Sequence, residues 1–130
     1  MQKYGTPLYL LNPSDFFSQI EIPVLRSVHA KQGDVVLTGM DGNPASYAAI
    51  RGDNGYQLMD IPLPLDYLGY QLVDNINRVM HKAAISNPST PIYVVDKTNI
   101  TSPALKNGTF TPGNGYKQHF LELWKTGKTS

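Results

Sequence analysis

Cysteine is absent from this 130-residue chain, which excludes disulfide staples, cysteine-ligated zinc, iron–sulfur clusters and thiol nucleophiles. Charge is scarce as well. Charged residues make up 16% of the sequence, against roughly 25% in ordinary soluble domains, so the surface is uncharged and polar or part of it is covered by a partner. Eleven basic residues, scattered from Lys3 to Lys128, leave a net charge of +1. A dedicated nucleic-acid binder shows a strong basic excess; nucleic acid is not expected as a primary ligand. The apolar run Leu8 to Leu11 is too short for the core of a signal peptide, and no window approaches the ~18 apolar residues of a membrane span. The expected setting is soluble, with synthesis in the cytoplasm and no membrane.

What is present is enough for one packed interior. Hydrophobic residues make up 41% of the chain, and the length fits a single domain over residues 1–130. Ten prolines and eleven glycines cut the sequence into short segments, which favours strands and loops. Residues 6–61 read as a β meander of about five strands. Thr6 to Leu11 is an apolar run, and Ser14-Asp15-Phe16-Phe17 reads as a turn. Ile20 to Val28 alternates with period two, Val35 to Met40 follows Gly33-Asp34, and Tyr47 to Ile50 and Tyr56 to Ile61 flank Gly52-Asp53-Asn54-Gly55. Asp41-Gly42 and Asn54-Gly55 are hairpin signals, because glycine tolerates the positive φ of tight turns.

After Pro62 and Pro64 the pattern changes. Asp66 is a candidate N-cap, and Leu68, Leu72, Ile76, Val79 or Met80, and Ala83 recur at helical spacing, predicting an amphipathic helix over 66–85. Asp74, Arg78 and Lys82 fall on its far side, and Asn87-Pro88 closes it. Residues 91–96 form a β-branched strand, 97–115 a long polar loop, and 116–130 a terminal segment that alternation leaves open between strand and helix. The polar tail Thr126 to Ser130 has no apolar anchor and is expected to be held by neighbouring chains. The fold class expected is α+β, β-rich: an antiparallel sheet, small barrel or sandwich with one helix and a loop-rich C-terminal third.

Each chemically suggestive motif has a structural explanation. Arg51-Gly52-Asp53 is an adhesion tripeptide only if exposed, and reads more simply as a hairpin turn. Asn99-Ile100-Thr101 and Asn107-Gly108-Thr109 fit the glycosylation pattern but read as loop polarity. Asp41-Gly42-Asn43 begins like a calcium loop, yet Ala45, Ser46 and Gly52 fail at its later positions. His29, His81 and His119 have no paired metal-ligand spacing. Of eight Asp residues, Asp34, Asp41, Asp53 and Asp66 sit at turn or cap positions; Glu21 and Glu122 are the only Glu. No nucleophile elbow, phosphate loop or dinucleotide fingerprint occurs. No catalytic, cofactor-binding or metal residue is therefore assigned, and no cofactor is expected.

Eight tyrosines spread over nearly every segment offer apolar area with a polar tip, which suits interfaces and sugar stacking. With low charge and polar loops, this favours a non-enzymatic structural subunit that self-associates or joins other protein subunits in a capsid-like shell. The concrete version is a bacteriophage virion protein, for capsid decoration or head–tail joining, with Tyr4, Tyr9, Tyr116, Phe120 and Trp124 as interface anchors. The alternatives are a carbohydrate- or receptor-binding module using exposed Tyr and the Asp41 and Asp53 tips, and a small hydrolase with a dispersed site that brings a His to an Asp.

Overall fold

The computed structural model describes residues 4–52 and 55–127, without the side chains of 106–108. The chain divides into two compact units, Met1–Leu63 with Ile92–Phe110 and Pro64–Pro91 with Thr111–Ser130.

In the first unit, β1 (Leu8–Leu10), β2 (Val35–Asp41) and β3 (Gln57–Pro62) lie side by side in parallel, and the short β4 (Val95–Asp96) pairs antiparallel with β3. Parallel neighbours cannot be joined by a hairpin; each connection must cross back, usually as a helix. That requirement turns two expected strands into helices. Ile20 to Val28 belongs to α1 (Asp15–Ser27), between β1 and β2, and Tyr47 to Ile50 belongs to α2 (Pro44–Arg51), between β2 and β3. The expected antiparallel barrel or sandwich is thereby overturned: the fold is α/β, with an open, mostly parallel sheet.

The local chemistry of both helices is explicit. Ser14 is the N-cap of α1 and its hydroxyl accepts the Phe16 N–H at 3.3 Å, with Asp15 favourably placed in the first turn. The buried positions Asp15, Ser18 and Ile22, with the half-buried Leu25 packed on the core, follow helical spacing. Helical burial prevails over the Ile20-Ile22-Val24 alternation, even with Pro23 inside the helix. Asn43 caps α2 by accepting the Ser46 N–H at 2.9 Å, and Pro44 follows at the first turn, where a missing N–H costs nothing. Thus Asp41-Gly42 leads into a helix, not a hairpin. Gly52 donates its N–H to Ala48 O at 2.9 Å and ends α2; Asp53 and Asn54, which complete the adhesion tripeptide and the second hairpin signal, lie outside the described residues.

Ile22, Ala30, Val35, Leu37, Ala49 and Tyr56 form one core of this unit. Tyr47 and Ile50 join Val95, Ile100, Leu105 and Phe110 in a second. The expected 97–115 loop contains a 3-10 helix, Pro103–Gly108, which brings Leu105 into that core. The expected 91–96 strand contracts to Val95–Asp96, since only these two residues pair with β3; Asp96 ends it by turning into Thr98 and Asn99 through its own side chain and N–H.

One irregularity positions the site described below. The β2–β3 register shifts between Leu37 and Thr38: Leu37 pairs with Gln57, but Gly39 pairs with Asp60. In a regular strand, residues three apart face opposite sides; the extra residue of the bulge lets Gln57 and Asp60 share one face. Both are buried.

In the second unit, α3 (Leu65–Met80) packs against α4 (Tyr116–Thr126). The helix expected over 66–85 is present, but it stops earlier, with Lys82 at φ +56°. Its buried face differs from expectation. Tyr67, Gln71, Asp74 and Arg78 are buried, whereas Leu72, Ile76, Val79 and Met80 are exposed. The Asp74–Arg78 pair forms at 2.6 Å within the helix packing, not on a solvent face, and Trp124 Nε1 donates to the other Asp74 oxygen at 3.1 Å. Tyr116 and Phe120, four apart, are the buried residues of α4, which settles the terminal segment as a helix. The expectation about the polar tail falls mostly on residues 128–130, outside the described residues. No helix among the described residues is long and apolar enough to cross a membrane.

Candidate functional site

Open parallel sheets present their loops and helix N-termini at the carboxyl ends of the strands. In the first unit that end carries Asn12 and Ser14 after β1, Asp41 as the last residue of β2, and Gly42 and Asn43 after it. Asp41 is the outlier. It holds φ +107° without being glycine, a conformation that costs of order 1–3 kcal/mol and persists only where its surroundings enforce it. Its side chain is partly exposed and accepts the Ser14 hydroxyl at 2.7 Å, while its carbonyl accepts the Leu63 N–H at 3.1 Å.

The surrounding polar groups are tied in the same way. Asn12 receives its place from Thr38, whose Oγ1 accepts the Asn12 N–H at 3.3 Å, and its side-chain amide donates to Glu21 at 2.7 Å and Ser18 at 3.0 Å. Phe16, two residues beyond Ser14, is 62% exposed and makes an edge contact with Phe17. A carboxylate, a hydroxyl and two side-chain amides gathered at one strand end can hydrogen-bond a polyhydroxylated solute.

Below this surface lies a buried polar cluster. Asp15 Oδ2 accepts the N–H groups of Gly42 at 3.0 Å and Asn43 at 2.9 Å, and its Oδ1 receives a long contact from Gln57 Nε2 at 3.5 Å. Gly39 is obligatory here, because a Cβ at that position would overlap Asp15 and Gln57. Asp60 is fully buried, and neither of its carboxyl oxygens receives a donor. Burial first, then the Asp15 charge and a hydrogen bond with Asp15, raise Asp60 to a pKa of about 7; the nearby Ile61 N–H pulls the other way, and Asp41 adds a smaller push upward. The Tyr47 hydroxyl, also buried without a partner, is pushed up by burial and then by Asp60 and Asp15.

The residues expected as interface anchors lie elsewhere. Tyr4 and Tyr9 are exposed in the first unit. Tyr116, Phe120 and Trp124 come together in the second, where Tyr67 and Tyr70 complete an aromatic cluster and Tyr70 stacks on Trp124 at 5.6 Å and 5°. A groove of about 570 Å³ runs along Leu65, Gly69, Tyr70, Val73 and Trp124, with the Asp66–Lys117 ion pair at its edge. It is open and largely apolar, without the converging polar groups of the strand-end site. His29 lies just beyond α1 at φ +53°, His81 caps α3 with its ring nitrogen 2.8 Å from Asn77 O, and His119 lies edge-on to Phe120. Among the described residues, no three His, Asp or Glu are placed to hold a metal ion. Asn99 uses its side chain on Asp96 and Val94, the loop role expected of it.

Asp41 was legible as a loop tip. Asn12, Ser14, Asp15, Gln57 and Asp60 were not, although Ser14-Asp15 before an apolar stretch and Asn43-Pro44 are both helix-start signals.

No protein-family model matches the chain, and no curated protein matches it. Among solved structures it is similar to one titled as a periplasmic ribose ABC transporter from Conexibacter woesei DSM 14684. The TM-score is 0.56 at 17% identity, over 74% of this chain and 32% of that one. The chain thus spans about a third of that protein's length, and a likeness at this identity is one of fold.

Proposed function

We propose that the first unit is a non-catalytic binding module for a small polyhydroxylated solute, of the pentose class, seated at the carboxyl ends of β1 and β2. The observation that carries this reading is Asp41: a partly exposed carboxylate in a strained backbone, held by the Ser14 hydroxyl at the strand end that also carries Asn12 and Asn43. Strain of this kind concentrates at ligand-holding sites. The structural neighbour is titled as a ribose transporter protein, which supports the choice of D-ribose as first probe. Isothermal titration with D-ribose, arabinose, xylose and glucose tests it. Saturable heat with at least one sugar, lost in Asp41→Ala, is expected; no heat with any of the four would sink the reading.

A second reading, a structural subunit of a larger protein assembly such as a virion shell, is supported by the apolar positions that α1 leaves exposed. Phe16, Ile20, Val24 and Val28 recur every four residues and are each at least half exposed. Light scattering on the purified chain distinguishes it: an assembly subunit gives a mass that rises with concentration, whereas a monomer at all concentrations rejects this reading.

A further inference from the structure

Asp15 is the hinge pin of the proposed site without being exposed to it. One of its oxygens takes both backbone N–H groups of Gly42 and Asn43, and these two residues are the turn by which the chain leaves Asp41 and enters α2. Asp15 is itself fully buried, so the loop geometry is set from beneath. Beside it, Asp60 is equally buried, and its two oxygens receive no donor. Two adjacent buried carboxylates cannot both be ionised cheaply, and one proton between them removes the repulsion.

We propose that Asp15 and Asp60 are positioning residues that share a single proton, donated by Asp60 to Asp15, and that this proton holds the Asp41–Asn43 turn in its binding geometry. Loss of the proton leaves two charges in one dry pocket. The pocket then opens, the turn loosens and Asp41 loses its enforced conformation. Among the described residues, the groups facing the pair are few. Gln57 from β3 is neutral, Tyr47 from α2 holds its proton, and Asp41 at the end of β2 adds a further negative charge. From β4, Asp96 pairs beside Met59 with its carboxylate engaged by Thr98, and Arg51 of α2 supplies the one cation felt at Tyr47. Burial first, then the Asp15 charge and hydrogen bond, keep the Asp60 proton up to about pH 7, so the device works in an ordinary cellular range.

The solute arm of this inference rests on the proposed binding reading; the proton arm does not. Backbone amide resonances of Gly42 and Asn43, followed by NMR on the whole chain between about pH 5.5 and 8.5, report the turn directly. A shared inflection near pH 7 in the wild type, absent in Asp60→Asn, is expected. Flat resonances in the wild type, or an unchanged inflection in Asp60→Asn, overturn the proposal; the wild-type result decides even where the variant folds poorly. D-ribose titrated over the same range gives the second readout: Kd rising about tenfold per pH unit above 7 in the wild type and level in Asp60→Asn. If ribose binds with a Kd independent of pH, the coupling of proton to site is rejected. If ribose does not bind at all, the binding reading loses its probe, and the amide inflection alone judges the shared proton.

Discussion

Ser14 Oγ donates to Asp41 Oδ2 at 2.7 Å, joining the cap of α1 to the end of β2 across 27 residues of sequence. The same oxygen accepts the Phe16 N–H, so one hydroxyl serves both helix start and site.

Ser14→Ala removes both interactions. It is expected to lower stability by about 1 kcal/mol, the usual loss at an N-cap, and to weaken solute binding further by freeing Asp41. Urea unfolding and sugar titration on one preparation separate the two losses. Unchanged stability would show that the cap contributes nothing.

Asp41→Gly separates strain from function. Glycine adopts φ near +107° without steric cost, so this variant is expected to be more stable by roughly 1 kcal/mol while losing sugar binding. A thermal melt shows the gain; a melting temperature below wild type would mean that the carboxylate contacts outweigh the backbone strain.

Gly39→Ala tests the closeness of the buried cluster. The added methyl overlaps Asp15 and Gln57, and overpacking of this sort costs typically 1–3 kcal/mol. The amides of Gly42 and Asn43, held by Asp15, are expected to lose hydrogen-exchange protection more than those of Leu37 on the same sheet. Equal loss at all three would indicate general destabilisation.

The Asp60 carboxyl sets a direction for stability against pH. Its ordinary value is 3.8 and its folded value about 7. Across that window the folded state holds the extra proton, so the contribution is full below about pH 4 and is lost as pH rises through 7, by up to about 4 kcal/mol. The difference in unfolding free energy between wild type and Asp60→Asn is therefore expected to shrink or reverse from pH 5 to pH 8. A constant difference rejects it.

In the second unit, Asp74→Ala leaves the Arg78 guanidinium and the Trp124 indole without the carboxylate both use. Removing one partner of a buried pair costs about 3–5 kcal/mol. Trp124 is the sole tryptophan, so its fluorescence reports the loss; an unshifted emission maximum and midpoint would refute it.

How far this was legible in the sequence follows from which forces are local. α3 could be found, because Leu68, Leu72 and Ile76 carry a helical period whatever they pack against. Its buried face could not, since Tyr67 and Asp74 are buried against Tyr116, Phe120 and Trp124 of α4 some fifty residues away, while Gln71 reaches Pro88 beyond the helix. α1 and α2 were masked by β-branched alternation and by Asp41-Gly42, whose meaning changes once the neighbouring strands run parallel. Asp41 was visible as a turn residue; Asp15 and Asp60 become a pair only through the β2–β3 register.

That register makes the pair depend on chain length as much as on residue identity. Inserting one residue between Met59 and Asp60 would move Asp60 one place along β3 and turn it to the opposite side of the sheet, parting it from Asp15 without altering either carboxyl. A single-codon insertion would thus act on this cluster as a double substitution does elsewhere.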